Sequence, residues 1–320
     1  MENRRTFLKK SAIACAALTV PGCTTNLMAS QSAKGFRTQN PKKALVLWYS
    51  QTGHTKRYGQ LIAHVLEQNN MAVDASDIRY CKDIQPGDYD LLIAGVPVHY
   101  MDVPPNARKF FKEMGTLDRT AVASYATFGG PGDNQHNTAY DLLSLMAAKG
   151  GVPAGMATFG NMSTYAPTWS MGNEARTLKY ANLPDANTYA RVGEFARAVV
   201  DNIRKGQADA PEREFDVMDW AKHLPVVWGS KVLTTDHRII EEECIGCGTC
   251  ARVCPVGAIS PETFLVDTRK CLLCLGCVNN CPVGAVNMKY LGKKVIGFPF
   301  FLKDQGIVLM EPDLGGDSTK

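Results

Sequence analysis

The sequence predicts an α/β chain of two domains: a doubly wound parallel sheet of five strands over residues 42–205, and a small α+β domain over residues 236–290. Two observations carry this prediction. In the first region, five short apolar runs alternate with segments of helical period, as in strands that are buried on both faces and joined by helices. In the second region, a run of four cysteines recurs 27 positions later, which indicates an internal repeat.

Composition and charge limit the class of protein. The 320 residues are 45% hydrophobic and 21% charged, which is typical of a globular chain and enough for two modest domains. The formal charge is +4, and four basic residues lie within the first 22 residues, so the remainder is close to neutral and nucleic acid is not an expected partner. The apolar run of residues 12–20 is about half the length of a membrane-spanning helix, so no integral membrane protein is predicted.

The first 23 residues predict an export signal. Arg4 and Arg5 are followed by Thr-Phe-Leu-Lys and then by the apolar run, which is the order of charge and hydrophobicity in signal peptides. The pattern resembles a twin-arginine signal, although the residue before the arginines departs from the usual Ser or Thr. The resemblance implies export to the periplasm or to the outer side of the cytoplasmic membrane. A frayed basic N-terminus is the alternative.

Residues 20–23 resemble the lipobox of bacterial lipoproteins, in which a small residue precedes a cysteine that is lipidated. Pro21 departs from that pattern. The resemblance implies lipidation of Cys23, which would hold the protein at the membrane surface. Residues 24–41 are rich in polar side chains and would then form a tether. Cleavage of the signal without an anchor is the alternative.

The five apolar runs predict strands at residues 44–49, 72–75, 91–96, 121–125 and 152–159. Helical spacing of apolar side chains predicts helices over residues 58–66, 107–114, 142–146 and 189–203. Ligands of a doubly wound sheet bind beyond the carboxyl ends of its strands. The loops that follow the strands are therefore the candidate site.

The loop between the first strand and the first helix predicts a phosphate site. It consists of Ser50, Gln51, Thr52, Gly53, His54 and Thr55. Hydroxyl groups and the free amides of a helix N-terminus can hold a phosphate without a lysine, and Gly53 lets the backbone come close. An ordinary capped turn is the alternative. After the first strand of this pattern, the loop resembles the Ser/Thr-x-Thr-Gly-x-Thr sequence of flavodoxins, which implies a flavodoxin-like fold and FMN as the cofactor.

Two further loops are expected to hold the isoalloxazine ring of FMN. Their residues are Pro97, Val98, His99 and Tyr100 after the third strand, and Phe128, Gly129 and Gly130 after the fourth. Tyr100 and Phe128 are the candidates for stacking on the ring, and capping of the sheet is the alternative for each. Histidines in such loops more often form hydrogen bonds than transfer protons, so no catalytic residue is assigned. Because no Gly-x-Gly-x-x-Gly follows a strand, no direct nicotinamide site is predicted.

Each repeat of the second region has the form Cys-x-x-Cys-x-x-Cys-x-x-x-Cys-Pro. Three of its thiolates converge on one small loop, whereas the fourth must serve another centre. The spacing resembles that of bacterial two-cluster ferredoxins, which implies two [4Fe-4S] clusters, each completed by the last cysteine of the other repeat. The implied ligands are Cys244, Cys247, Cys250 and Cys281 for one cluster, and Cys271, Cys274, Cys277 and Cys254 for the second.

A small apolar core is expected between the two repeats, formed by Ile245, Val253, Ile259, Val278 and Val286. So small a domain would depend on its metal centres for stability. Zinc and disulfides are the alternatives for the cysteines. Zinc is disfavoured because its sites usually use two separated Cys-x-x-Cys pairs. Disulfides are common in exported proteins, but twin-arginine export moves folded proteins, so clusters could be inserted before transit. Cys81 is expected to be a bystander.

The remaining segments are a connection over residues 206–235, expected to pack at the domain junction, and a C-terminal tail over residues 291–320. The tail contains the apolar stretch 295–302, for which packing back on a domain is favoured over a membrane or partner contact.

The whole chain resembles flavodoxin-plus-ferredoxin fusions. This resemblance implies an exported electron carrier that passes electrons between FMN, two [4Fe-4S] clusters and a redox protein or membrane electron-transfer complex. The alternatives are an FMN-dependent reductase of a small quinone-like or nitro substrate, and a flavin-free docking module for the ferredoxin half.

Overall fold

The computed structural model describes residues 23–81, 84–130, 134–214 and 226–315. They form a parallel sheet covered by helices and a small antiparallel sheet next to the cysteine loops, which confirms the predicted fold class. The predicted signal, with Arg4 and Arg5, lies outside the described residues.

The parallel region contains α1 (Cys23–Ser32), β1 (Lys43–Trp48), α2 (His54–Gln68), β2 (Ala72–Asp77), β3 (Leu91–Pro97), α3 (Pro105–Glu113), β4 (Ala121–Gly129), α4 (Gln135–Ala147), β5 (Val152–Asn161), α5 (Pro167–Ser170), α6 (Glu174–Leu178) and α7 (Ala186–Arg204). The second region contains α8 (Val226–Val232), β6 (Thr234–Ile239), α9 (Thr249–Val253), β7 (Ile259–Ser260), β8 (Leu265–Val266), α10 (Gly276–Asn280), β9 (Val286–Tyr290), β10 (Lys293–Lys294) and α11 (Phe298–Asp304).

The first sheet has the strand order β2-β1-β3-β4-β5, with every neighbouring pair parallel. Its apolar runs are buried on both faces because side chains alternate across a strand. In β1, Val46 packs into the core on one side of the sheet, and Leu45 and Leu47 pack into the core on the other.

The strand order reverses between β1 and β3. At such a switch point the connecting helices leave on opposite faces, which opens a crevice beyond the carboxyl ends of the strands. The loop between β1 and α2 therefore lies at the crevice, where the sequence places the candidate phosphate site.

The antiparallel sheet has the order β10-β9-β6-β8-β7, and the two cysteine repeats carry α9 and α10. Its core includes Val278, Val286 and Ile259, as predicted, and it continues into the first domain through Trp169. The two domains therefore share an apolar junction.

The segment predicted to be a tether differs from that expectation. It begins with α1, and the side chains of Met28 and Phe36 are buried against the parallel-sheet domain. Ser32 Oγ donates to the Asp209 carbonyl at 2.6 Å, and Arg37 Nη1 donates to the Gly87 carbonyl at 2.8 Å. The segment was predicted to be a tether because most of its residues are polar. The burial of Met28 and Phe36 nevertheless packs it against the parallel-sheet domain.

The C-terminal tail packs back on the protein, as favoured by the sequence. Phe301 of α11 stacks on Trp169 with ring centroids 4.5 Å apart, and Phe298 is buried beside it. Further along, Glu311 pairs with Arg57 of α2. Among the described residues, no helix combines the length and the hydrophobicity needed to span a membrane.

Candidate functional site

A cleft of about 540 Å³ opens at the carboxyl edge of the parallel sheet. Eleven of the thirteen residues predicted to bind the flavin line it: Ser50, Gln51, Thr52, His54, Thr55, Pro97, Val98, His99, Tyr100, Phe128 and Gly129. Gly53 and Gly130 are not part of its lining. The three predicted loops are thus brought together at one place.

Asp77 and Arg79 form hydrogen bonds with the first residue of the loop before α2. Asp77 Oδ2 accepts from the Ser50 amide at 3.1 Å, and Arg79 Nη2 donates to the Ser50 carbonyl at 2.6 Å. The Gly53 amide donates to Ser50 Oγ at 3.1 Å, and Gly53 adopts a left-handed φ of 94°. This turn directs the first amides of α2, which have no partner within the helix, toward the cleft.

Buried polar atoms without a partner lie at the start of α2, beside the loop predicted to hold a phosphate. Both ring nitrogens of His54 and Nη1 of Arg57 are among them. A Cβ placed on Gly53 would lie 2.8 Å from this Nη1, so the guanidinium reaches over the loop. Burial, and next the charge of Arg57, lower the pKa of His54 to about 3. A phosphate at this position would supply acceptors for these groups.

Arg57 is a candidate ligand that the sequence reasoning missed. It lies in the first turn of α2, after the loop pattern, and only the fold shows that its side chain returns over Gly53. Its Nε and Nη2 are occupied by the Glu311 carboxylate of the tail. The remaining nitrogen, Nη1, is the one directed at the loop.

The other end of the cleft suits a flat aromatic ring. Tyr100 has a left-handed φ of 47° and packs edge-on against His99, with ring centroids 4.6 Å apart. His99 Nε2 and Asn161 Oδ1 are buried without a partner, which leaves polar atoms free for a ligand. Burial lowers the pKa of His99 to about 4, although nearby Asp102 opposes the shift, so this imidazole is neutral at pH 7.

Three tyrosines close the cleft across the domain junction. Tyr100, Tyr165 and Tyr290 all line it, and the rings of Tyr100 and Tyr165 meet edge to face with centroids 6.4 Å apart. No sequence pattern relates these residues, because Tyr290 is more than a hundred residues from the other two tyrosines.

The eight cysteines of the repeats form two groups that cross between the repeats. Burial raises the pKa of Cys250, and the neighbouring sulfurs of Cys281, Cys244 and Cys247 add to the effect. These four residues are called the outer set. Burial also raises the pKa of Cys277, with added contributions from Cys274, Cys271 and Cys254. These four are called the inner set.

Both sets contain sulfurs that accept hydrogen bonds from backbone amides. Gly246 donates to Cys244 Sγ at 3.4 Å, Leu273 to Cys271 Sγ at 3.3 Å and Ala258 to Cys254 Sγ at 3.2 Å. Such hydrogen bonds stabilise the charge of a thiolate or a bound cluster. Burial raises the pKa of the Cys250 and Cys277 thiols, so metal ligation by these two residues would release protons. Within the described residues, no three His, Cys, Asp or Glu side chains are placed to hold a single metal ion.

The inner set borders the flavin cleft. Leu273, Cys274 and Leu275 line it, and Gln51 Nε2 of the phosphate loop donates to Cys274 Sγ at 3.4 Å. Asn280 Nδ2 donates to the Gln51 carbonyl at 2.7 Å. The cleft therefore has one wall from each domain, a feature that neither motif predicts alone.

The outer set reaches the protein surface at one residue, whereas Cys250 and Cys281 are buried. Cys247 is exposed, and the neighbouring Ile245 is 63% exposed. The prediction that Ile245 belongs to the small core was wrong. Its place in the short loop between two ligands directs the side chain outward. Cys81 lies away from both sets, next to the core on one face of the parallel sheet.

Comparison with known families agrees with this division of the chain. Residues 45–166 match the flavodoxin domain family, and residues 237–260 match the 4Fe-4S binding domain family. The chain contains a flavodoxin domain followed by a 4Fe-4S ferredoxin-type domain. The second match ends before Cys271, the first cysteine of the second repeat.

Solved structures similar to this chain include flavodoxins. A flavodoxin from Streptococcus pneumoniae TIGR4 is 13% identical, with a TM-score of 0.40, over 50% of this chain and 99% of that one. Flavodoxin 1 from Bacillus cereus is 14% identical, with a TM-score of 0.39, over 50% of this chain and 98% of that one. Rubredoxin oxygen:oxidoreductase from Desulfovibrio gigas is 13% identical, with a TM-score of 0.37, over 56% of this chain and 39% of that one. No curated protein matches the chain.

Proposed function

We propose that this protein is an exported electron carrier with one FMN and two [4Fe-4S] clusters, and that it exchanges electrons with a redox protein or a membrane electron-transfer complex. One observation carries the proposal. The flavin cleft of the first domain and the inner cysteine set of the second share a wall, at Leu273, Cys274 and Leu275. Cofactors held on the two sides of this wall would be neighbours.

The residues of the cleft divide into two groups by role. The loop of Ser50–Thr55 and Arg57 Nη1 would hold the phosphate, and Tyr100 and Phe128 would border the ring. When bound, FMN can hold two electrons and give them up singly, whereas each [4Fe-4S] cluster holds one, so the combination would convert between pair and single transfer. The chain itself supplies binding, orientation and exclusion of water.

The two cysteine sets differ in their position relative to the cleft and the protein surface. The inner set adjoins the cleft, whereas the outer set presents Cys247 to solvent beside Ile245. We place the contact with the redox partner at this exposed face, since electron transfer between proteins favours a short distance between cofactors. The flavin, the inner cluster, the outer cluster and the partner are then arranged in that order.

Cofactor analysis of the purified mature protein tests the proposal. We expect one FMN and about eight irons per chain, which is the content of one flavin and two cubane clusters. Reduction of the clusters should be followed by bleaching of the flavin absorbance without an added mediator. A protein that holds iron but no flavin would instead be the docking module. Rapid turnover of a small quinone or nitro compound with artificial reductant would favour the reductase.

Export and lipid anchoring are part of the same proposal. Replacing Arg4 and Arg5 with lysine should leave the precursor in the cytoplasm, because the twin-arginine pair is the feature recognised. The Cys23→Ala variant should move the mature protein to the soluble fraction, because the lipid site is lost. Membrane association that survives Cys23→Ala would refute the lipid anchor.

A further inference from the structure

Cys274 is the ligand of the inner set that receives hydrogen bonds from the flavodoxin domain. Gln51 Nε2 donates to Cys274 Sγ at 3.4 Å and also to the Tyr49 hydroxyl, which lies beside the same sulfur. Tyr49 directly follows β1 and Gln51 lies in the loop before α2, so both residues come from the wall of the flavin cleft. The separation in sequence between Gln51 and Cys274 is 223 residues.

The orientation of the Gln51 side chain follows from its surroundings. Its Nε2 lies between Cys274 Sγ and the Tyr49 hydroxyl, whereas its Oε1 is buried against Gly276 without a partner. The opposite orientation would place the carbonyl oxygen against a thiolate, and two acceptors repel each other. The absence of a side chain on Gly276 leaves the room that this amide occupies.

The corresponding ligand of the first repeat has a different environment. Cys247 lies within hydrogen-bonding distance of Thr249 Oγ1 at 3.4 Å, a local contact two residues along the chain. Cys247 is also exposed, whereas Cys274 is enclosed at the domain junction. Thr249 occupies the repeat position that corresponds to Gly276. The second repeat thus has no local side-chain donor at this position, and Cys274 receives a side-chain donor from the other domain.

We propose that Gln51, assisted by Tyr49, is a positioning residue that sets the reduction potential of the inner cluster from the flavodoxin side. A hydrogen bond to a ligand sulfur withdraws electron density from the cluster, stabilises its more negative reduced form and raises its potential. This inference rests on the proposed function, because it requires the inner set to hold a cluster. It adds that one loop would serve two cofactors. Its backbone amides would bind the FMN phosphate, and its Gln51 side chain would act on the inner cluster through Cys274.

The test compares the potentials of the two clusters in the complete protein. Gln51→Leu removes the donor at similar size, Tyr49→Phe removes only a hydroxyl, and Gln51→Glu replaces the donor with an acceptor. We expect a lower midpoint potential for one cluster in all three variants, with the largest shift in Gln51→Glu. Redox titration followed by electron paramagnetic resonance resolves the two clusters.

Thr249→Val is the matched control, since it removes the hydroxyl next to Cys247 and should lower the potential of the other cluster. Unchanged potentials in Gln51→Leu and Tyr49→Phe, or equal shifts of both clusters, would overturn the inference. If Gln51→Leu lost its flavin, Tyr49→Phe would still give the answer, because its change lies outside the phosphate loop. An iron content well below about eight per chain in the unaltered protein would refute the proposed cofactors instead.

Discussion

The two cysteine repeats have the same spacing and the same backbone conformation at two matching positions, but they carry different residues there. In the first repeat, Gly246 and Gly248 adopt left-handed φ values of 67° and 66°. In the second, Leu273 and Leu275 adopt the same region, at 52° and 59°. Glycine takes this conformation freely, whereas a residue with a side chain is strained there by about 1–2 kcal/mol.

Burial of the two leucine side chains offsets the backbone strain. Leu273 and Leu275 are 6% and 5% exposed and line the flavin cleft, and burial of a leucine side chain contributes about 1.5–3 kcal/mol. At the corresponding positions of the first repeat, Gly246 is exposed and Gly248 is half-buried. One cysteine loop therefore faces solvent at these positions, whereas the matching loop of the second repeat forms a wall of the cleft.

The largest expected difference between the repeats comes from removing their last cysteines. Cys254→Ala should damage the cluster of Cys271, Cys274 and Cys277, and Cys281→Ala the cluster of the first repeat, because the ligands cross over. Each variant should lose about half of its iron or convert one cluster to a [3Fe-4S] form.

Double variants distinguish crossing from closure within each repeat. Cys254→Ala combined with Cys271→Ala should damage one cluster, whereas Cys254→Ala combined with Cys244→Ala should damage both. Iron analysis and paramagnetic resonance give the count. The reverse order of damage would show that each repeat closes its own site.

The next effect separates the cleft from the clusters. Gly53→Val should abolish FMN binding, because its side chain needs a strained φ and would strike the Arg57 guanidinium over the loop. Iron content should be unchanged. Flavin extraction and iron analysis on the same sample provide the measurement.

Gly172→Val is the control for backbone strain alone. Gly172 has a φ of 85° with open space around its Cβ position, and it lies outside the lining of the cleft. This variant should keep its flavin. Equal flavin loss in both variants would argue against a phosphate site at Ser50–Thr55.

Exchanging residues between the repeats tests the balance of strain and burial. Leu275→Gly should relieve the strain but lose the buried side chain, for a net loss of about 1–2 kcal/mol in the free energy of unfolding. Gly248→Leu should cost about 1–2 kcal/mol, since the first repeat adds strain without burial. Only Leu275→Gly should also weaken FMN binding, as measured by flavin titration. An equal loss of affinity in both variants would contradict the asymmetry.

The smallest effect concerns pH. Because burial keeps the pKa of His54 at about 3, below its ordinary value of 6.5, the folded protein binds fewer protons than the unfolded chain between these values. The stabilisation is complete above pH 6.5 and is lost as the pH falls below it. Between pH 7 and pH 6 the loss from one such histidine is about 0.7 kcal/mol.

Calorimetry measures this pH dependence of stability. The flavin-free protein is used because a bound phosphate would stabilise the charged imidazole of His54 and so raise its pKa. The unfolding temperature should fall from pH 7 to pH 6, and it should fall less in His54→Gln, which cannot titrate there. An identical pH response in the two proteins would show that the His54 imidazole is not buried in its neutral form.

The sequence by itself determined the features that are encoded over short distances. Apolar runs of four to eight residues predicted the strands and apolar side chains at helical spacing predicted the helices, so the doubly wound sheet was predicted with all five strands. The loop of Ser50–Thr55 was recognised because a phosphate site needs small residues and free amides at adjacent positions. The spacing of the cysteines likewise implied two crossed ligand sets through its resemblance to two-cluster ferredoxins, and this assignment stays a prediction.

Only the tertiary structure decided how the two domains use each other. Three features depend on residues that the local pattern does not relate. They are the hydrogen bond from Gln51 to Cys274, the return of Arg57 over Gly53, and the burial of Met28 in the predicted tether. Two repeats with the same spacing received opposite environments because one of them packs on another domain. Such packing depends on the shape and the apolar surface of both partners, which exist only once each domain has folded.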